Sequence, residues 1–240
     1  MYQEVFNRLM KLMKSFIKQQ GFTSKGNNFY KRHPQGNIGI INFQRNRDGI
    51  PKFTINVGTY SLVLAEFFLD KFNEKKVAKY PLLGDDHWGT RIGHLVPMKH
   101  PERQKDKFWQ EVGDKWWEYD DTTDIEKLFK EINPLIVEYG IPAIDKHLSD
   151  KQLIDMLLVS AENNKKCAEI EVGKLRAAEE CARMQKLVDL SILLFAYGEK
   201  EKFKIAMSGL HGCLQRYPQY TGLKEDYDKL IKETTFTVKN

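Results

Sequence analysis

The chain has 240 residues, of which 41% are hydrophobic and 12% aromatic, so it has enough apolar material for a packed core and is not globally disordered. No apolar run reaches the roughly 18–20 residues that a membrane-spanning helix needs, and the N-terminus lacks the apolar stretch of a secretory signal. The three cysteines include no C-x-x-C pair, which is typical of reduced thiols, so we expect a cytoplasmic protein. The net charge of +5 is unevenly spread, since residues 1–60 carry ten Lys and Arg against two acidic residues and residues 61–150 carry 13 against 18.

The first predicted element is an amphipathic helix that begins near Val5 and ends before Gly21. Its apolar residues recur at helical spacing, while Arg8, Lys11 and Lys14 mark the opposite face. Glycine suits the position just after the helix end, because that residue commonly adopts a left-handed backbone conformation.

The next segment changes to the two-residue period of a strand. Its β-rich runs cover residues 28–32, 38–44 and 53–58. In the third run Phe53, Ile55 and Val57 alternate with polar residues or glycine, which is typical of a half-buried strand. The connections between the runs are too short to contain a crossover helix, so the sequence predicts antiparallel neighbours.

The middle of the chain mixes several short predicted elements. The apolar spacing predicts a helix over residues 61–72, a short strand over 90–96, and either a helix or a strand over 108–119. A capping box at residues 123–126 opens a further helix, which Pro134 is expected to kink or interrupt.

The C-terminal third is predicted to be helical. A second capping signature at residues 149–152 opens a long helical pattern that ends at Gly198, with a break expected near Asn163 and Asn164. Two more helices follow, separated by Pro218. The sequence therefore predicts an α+β fold in which an N-terminal helix packs on an antiparallel sheet and an all-helical region follows, with domains at residues 1–147 and 148–240.

The stretch from Asp85 to His94 concentrates acids, imidazoles and an arginine. His87 is a candidate general base and Arg91 a candidate anion clamp. No nucleophile lies at a telling spacing, which favours the alternative that Arg91 stacks on a nearby tryptophan and pairs with an acid. The histidine spacing matches no zinc pattern, and P-loop and G-x-G-x-x-G motifs are missing, so we expect no metal, no cofactor and no assigned catalytic residue, and the pattern favours a non-enzymatic protein.

The basic first third contains the ingredients of a nucleic-acid binder. Its basic residues are interleaved with Phe29, Tyr30 and Phe43, a combination typical of sheets that bind single strands. No RNP-like motif is present, and the same charge also suits an acidic protein partner or the acidic middle of the chain itself. All three alternatives stay open at the level of sequence.

Five segments follow one another along the chain in a recognisable order: Gly21–Tyr30, Ile41–Gln44, Phe53–Gly58, His87–Gly93 and Asp114–Trp117. In this order and spacing, residues 1–145 resemble a bacterial family catalogued as domain of unknown function 4304. The resemblance implies a bacterial cytosolic protein, of a class in which small α+β domains often act as toxin-immunity or phage-defence components. The residues from about Leu148 onwards lie outside the resemblance.

Charged and aromatic side chains from the sheet region and from these segments are the candidate binding residues: Lys25, Tyr30, Arg32, Arg45, His87, Arg91, Trp116 and Trp117. Tryptophan, tyrosine and arginine are common anchors of protein interfaces. The leading hypothesis is therefore a non-enzymatic, immunity-like protein that binds and neutralises a toxin partner. The alternative hypothesis is a phage-defence protein that binds or acts on nucleic acid through the basic first third.

Overall fold

The structure is a computed structural model that describes residues 2–72, 74–170 and 177–237. The chain forms two compact units, of which the first contains Met1–Leu62 and Val77–Ser149 and the second contains Val63–Lys76 and Asp150–Asn240. No helix in the described part of the chain is long and apolar enough to cross a membrane.

The helices and strands follow the predicted α+β order. The strands are β1 (Thr23–Lys25), β2 (Asn28–Arg32), β3 (Ile38–Arg45), β4 (Lys52–Tyr60), β5 (Trp88–Arg91) and β6 (Trp117–Glu118). The α-helices are α1 (Tyr2–Gln19), α2 (Leu62–Phe68), α3 (Ile92–Leu95), α4 (Pro101–Gln104), α5 (Lys107–Val112), α6 (Ile125–Leu135), α7 (Ile141–Asp145), α8 (Asp150–Ile170), α9 (Ala177–Ala196), α10 (Lys200–Arg216) and α11 (Thr221–Thr237). A π-helical turn, Ile136–Gly140, joins α6 to α7.

The strands form one antiparallel sheet in the order β1-β2-β3-β4-β5, and β6 also pairs with β4. The N-terminal helix α1 packs into the core on one face of this sheet, where Phe6 meets Phe53 with 5.5 Å between the ring centroids. Gly21 has a φ of +86° just after α1, as its predicted role in ending the helix requires. The predicted fold class is confirmed.

Several predicted boundaries are wrong, for local physical reasons. The strand expected over residues 90–96 ends at Arg91, because Ile92–Leu95 turns into a helix that brings Gly93 against the backbone of residues 113–115. The helix expected over residues 61–72 ends at Phe68, and Phe72 is 66% exposed, so its ring has little packing to extend the helix. The residue that caps α6 is Asp124, because the hydroxyl of Thr123 accepts the Asp120 N–H in the preceding turn.

The second unit contains α8 to α11 together with the segment 63–76. Lys71 forms an ion pair with Asp226 of α11 at 2.7 Å, and Lys229 donates to the Phe67 carbonyl at 2.6 Å. The break expected near Asn163 is wrong, since α8 continues to Ile170, and asparagine costs a helix only a few tenths of a kcal/mol. Gly198 ends α9 with a φ of +71°, as predicted.

The thiols of Cys181 and Cys213 are free, and Cys167 lies outside the residues whose side chains the structure describes. The division into an α+β domain at residues 1–147 and a helical region at residues 148–240 stays a prediction. The segment 63–76 groups with the C-terminal helices although 87 residues separate its start from theirs, an arrangement that no local sequence pattern indicates.

Candidate functional site

The face of the sheet opposite α1 carries a row of amide side chains. Asn28, Asn42 and Asn56 lie directly opposite one another on β2, β3 and β4, and the next position across the sheet is Arg91 on β5. Residues directly opposite in an antiparallel pair point to the same face. Gln44 lies two residues after Asn42 and therefore shares this face. We call Asn28, Asn42, Gln44 and Asn56 the amide row.

The amide row is connected by hydrogen bonds from strand to strand. Asn42 Nδ2 donates to Asn28 Oδ1 at 2.6 Å, and Asn56 Nδ2 donates to Asn42 Oδ1 at 3.1 Å and to Gln44 Oε1 at 3.0 Å. Within the part of the chain that the structure describes, Asn28 Nδ2 and Gln44 Nε2 have no protein acceptor. The mutual bonds hold the side chains in place, while these two outer groups remain able to donate to a ligand.

Arg91 and Trp116 form one end of the row. The Arg91 guanidinium forms an ion pair with Asp114, and its central carbon lies 5.3 Å from the ring centroid of Trp116. Trp116 Nε1 donates to the same Asp114 oxygen at 2.8 Å, so one carboxylate orients both side chains. Lys52 lies over the Trp116 ring at 5.4 Å. Thr54, which shares this face of β4, is fully buried, and its hydroxyl has no hydrogen-bond partner among the residues that the structure describes.

A carboxylate from the loop before β5 covers the next position of this face. A Cβ built at Gly89 would overlap the carboxylate of Asp86, and one built at Gly58 would lie 3.0 Å from it. Burial raises the pKa of Asp86 above its usual value, although the Gly84 N–H, which donates to it at 2.8 Å, opposes the shift. The two glycines therefore make room for an acid beside the amide row.

Lys25, Tyr30 and Arg32 lie together around Tyr80. The Tyr30 and Tyr80 rings are 5.2 Å apart, and Lys25 lies 5.0 Å from the Tyr80 centroid. Arg32 donates to the Lys79 carbonyl at 2.6 Å, which fixes the loop against β2. Burial is the main reason that the pKa of Tyr30 is raised, so its hydroxyl stays protonated.

His87 makes a structural contact through one of its ring nitrogens. Its Nδ1 accepts the Ser61 N–H at 2.9 Å, and its ring lies 5.4 Å from Tyr60. The lone pair at Nδ1 is therefore used to hold the end of β4. Among the residues that the structure describes, no group of three or more His, Cys, Asp or Glu side chains is placed to hold a metal ion.

Arg45 and Trp117 lie on the other side of the sheet. Trp117 is 3% exposed and stacks on Phe53 at 5.5 Å, so it belongs to the core beneath α1. Arg45 pairs in register with Phe53 and contacts Phe6, which separates it from the amide row. The structure thus brings Lys25, Tyr30, Arg32, Arg91 and Trp116 to the polar side of the sheet, and leaves Arg45 and Trp117 apart from them.

Sequence reasoning did not select the amide row as a site. The available signal was that polar residues occupy every second position between apolar ones, namely Asn42 and Gln44 on β3 and Thr54 and Asn56 on β4. The expected pairing of Arg91 with a tryptophan and an acid is confirmed, and the structure identifies the partners as Trp116 and Asp114, which lies 23 residues from Arg91 in sequence.

The fold and the site together define an α+β protein in which helix α1 covers one face of the sheet and a row of polar side chains lies on the opposite face. The family model described as Domain of unknown function (DUF4304) matches residues 13–146, and the chain belongs to this family. No curated protein and no solved structure matches the chain.

Proposed function

We propose that this protein is a non-enzymatic binding module that recognises a protein partner through the polar face of its sheet. The concrete form of the proposal is an immunity-like protein of a bacterial conflict system that binds and neutralises a toxin. The observation that carries it is the hydrogen-bonded amide row with Arg91 and Trp116 at its end.

The amide row supports protein recognition because its hydrogen-bonding groups are already ordered. Each inner amide is held by its neighbours, with the Asn42 to Asn28 bond at 2.6 Å. A partner that binds such groups loses less side-chain entropy than one that must order them. The outward donors of Asn28 and Gln44 suit backbone carbonyls or carboxylates of a protein surface.

Arg91 and Trp116 support an interface anchor at the end of the row. Tryptophan and arginine are enriched among the residues that contribute most to interface affinity. Here both are held by Asp114, so their orientation does not depend on the partner.

The distribution of charge favours protein over nucleic acid. Lys31 forms an ion pair with Asp145 at 2.6 Å, and Arg45 lies at the opposite end of β3, beside Phe6. The charge of Arg91 is neutralised by Asp114. These cations do not form one continuous track of the kind that follows a phosphate backbone.

The test is affinity capture from the native host with the wild-type chain and the Gln44→Glu variant. Glutamate keeps an oxygen that accepts from Asn56, loses the outward donor and adds a negative charge, so the fold should persist while binding falls at least about tenfold. The matched control is Gln19→Glu, an exposed amide at the end of α1. Equal capture by all three chains would place the interface elsewhere.

The immunity-like part of the proposal has its own measurement. The captured partner is expressed alone and together with this chain, and we expect the partner to arrest growth only when it is expressed alone. A partner that binds but never arrests growth would support the binding module and contradict the toxin-neutralising role.

Binding to nucleic acid is tested by titrating the protein with labelled oligonucleotides at about 50 and 200 mM salt. Over this range each phosphate contact gives a log–log slope of roughly −0.7 on single strands. We expect only weak, salt-labile binding.

A further inference from the structure

A second surface, on the α1 side of the sheet, has the composition of an anion site. The turn between β3 and β4, the start of α1 and Tyr119 line an open groove of about 540 Å³. Its lining residues are Gln3, Arg45, Asn46, Arg47, Gly49, Ile50, Pro51 and Tyr119. None of them belongs to the amide row, so the groove is independent of the proposed binding face.

The walls of the groove are tied together by hydrogen bonds. The Tyr119 N–H donates to the Pro51 carbonyl at 2.9 Å, which joins the segment after β6 to the turn. Arg45 donates to Gln3 Oε1 and therefore joins β3 to the first turn of α1. Asn46 Oδ1 accepts the Asp48 N–H at 2.7 Å, which leaves the Asn46 Nδ2 group to donate.

Of the described residues that line the groove, two are arginines and none is acidic. Arg45 is oriented by Gln3 and by Phe6, whose ring centroid lies 5.5 Å from the guanidinium carbon. In the part of the chain that the structure describes, no carboxylate forms an ion pair with Arg45 or Arg47. An oriented guanidinium without a counter-ion is a recognition group for a carboxylate or a phosphate, which it binds through two parallel hydrogen bonds.

The Tyr119 hydroxyl adds a neutral donor to this set. Its ring is 7% exposed and packs 5.8 Å from the Phe6 ring. Burial raises the pKa of Tyr119, and the neighbouring Arg45 only partly offsets that effect, so the hydroxyl is protonated at neutral pH. Two guanidiniums, a phenol and an amide offer more donors than one carboxylate accepts, whereas a phosphate has three oxygens to accept them.

We propose that this groove binds the phosphate monoester of a small organic molecule, with Arg45 and Arg47 on the phosphoryl oxygens. Its volume lies in the range of small-molecule sites and exceeds what inorganic phosphate alone would fill. Ile50, which is 50% exposed, and Pro51 supply an apolar surface for the organic group.

The test is calorimetric and NMR titration of the full-length protein with phenyl phosphate, inorganic phosphate and benzoate. We expect phenyl phosphate to bind with a Kd of about 1 mM or tighter and to shift the backbone amide signals of Asn46 and Gly49. Inorganic phosphate should bind more weakly because it lacks the ring, and benzoate more weakly because a carboxylate offers fewer oxygens.

The variants Arg45→Gln and Arg47→Gln should each weaken phenyl phosphate binding about tenfold or more, since hydrogen bonds to charged groups are worth that much. Arg8→Gln, on the exposed side of α1, removes the same charge without touching the groove and should leave binding unchanged. Thermal unfolding of each variant checks that the fold persists, and Arg47→Gln carries the test if Arg45→Gln unfolds. Binding that is equal in wild type and in the Arg47→Gln variant, or no binding of phenyl phosphate at 10 times the expected Kd, about 10 mM, overturns the proposal.

Discussion

Arg91 is held by contacts on two sides, with its guanidinium over Trp116 and ion-paired with Asp114. Removing a packed, hydrogen-bonded arginine leaves the Asp114 carboxylate without its cation and typically costs about 1–3 kcal/mol. Lys11 lies on the exposed side of α1, where a substitution usually changes stability by less than about 0.5 kcal/mol. We therefore predict that Arg91→Ala lowers the free energy of unfolding more than Lys11→Ala, as measured by urea denaturation. Equal midpoints and slopes for the two variants would show that Arg91 is free to serve a ligand.

The Asp86 carboxylate occupies the space that a side chain at position 89 would need, so only glycine at this position leaves room for it. A methyl group at Gly89 would displace the Asp86 carboxylate and break its 2.8 Å bond from Gly84, so Gly89→Ala should cost about 1 kcal/mol. In an Asp86→Ala background the same substitution should cost nothing or stabilise slightly, because the clash is gone. A double-mutant cycle measures this coupling.

The control for that cycle is Gly209→Ala on the exposed side of α10. A Cβ there meets no described residue within 4 Å, so alanine should stabilise the helix by up to about 1 kcal/mol. A Gly89→Ala variant that behaves like Gly209→Ala, with no coupling to Asp86, would show that the carboxylate does not occupy this position in solution.

At the scale of an element, α9 carries a buried acid in its apolar side. The pKa of Asp189 is raised to about 7, chiefly by burial and also by the nearby Asp226, while Gln185 and Lys71 oppose the shift. A carboxyl whose folded pKa is raised binds its proton more tightly in the folded state than in the unfolded state. This group therefore makes stability fall as pH rises from about 4 to about 7, and it contributes no further change above that range.

The Asp189→Asn variant removes this titration and keeps an oxygen for the 2.9 Å bond from Gln185. We predict that its free energy of unfolding at pH 8 exceeds that of the wild type by about 1–4 kcal/mol, since each pKa unit corresponds to about 1.4 kcal/mol. Its stability should also vary less between pH 4 and pH 7. Asp228→Asn on the exposed side of α11 is the control, and a wild-type pH profile in the Asp189 variant would refute the buried-acid interpretation.

At the scale of the whole molecule, the segment 63–76 belongs with the C-terminal helices although it interrupts the first unit in sequence. The ion pair from Lys71 to Asp226 and the bond from Lys229 to the Phe67 carbonyl hold it there. A chain that ends at Ser149 loses both contacts. We predict that this chain is cleaved within residues 63–76 by limited proteolysis, because a segment without its packing partners unfolds locally.

Mass spectrometry of the fragments locates the cleavage, and the full-length chain is the control, protected in the same segment. A variant of the shortened chain in which a flexible Gly/Ser linker of equal length replaces residues 63–76 should be cleaved only in that linker. Resistance of the unmodified segment in the shortened chain would show that it folds without the C-terminal helices.

Local patterns were sufficient for much of the fold. The apolar spacing of α1, the left-handed glycine after it and the alternation in β4 follow from side-chain periods of about 3.6 and 2, which depend only on neighbours in sequence. The start of α6 also follows from local sequence to within one residue, since the capping box predicted a cap at Thr123 and the structure has it at Asp124. The helix that replaced the strand expected over residues 90–96 depended instead on the close approach of Gly93 to residues 113–115.

The candidate site required tertiary structure, because it depends on register. Sequence shows that Asn42 and Asn56 alternate with apolar residues, but only the pairing of β2, β3 and β4 places the three asparagines opposite one another. Alternation also separates Trp116 from Trp117, of which one packs against Arg91 and the other lies in the core. By itself the sequence determined the main helices, the central strands and the family, since these follow from local periodicity and motif order. Only the folded chain decided which polar side chains share a surface, because cross-strand register and long-range ion pairs join residues that no local pattern relates.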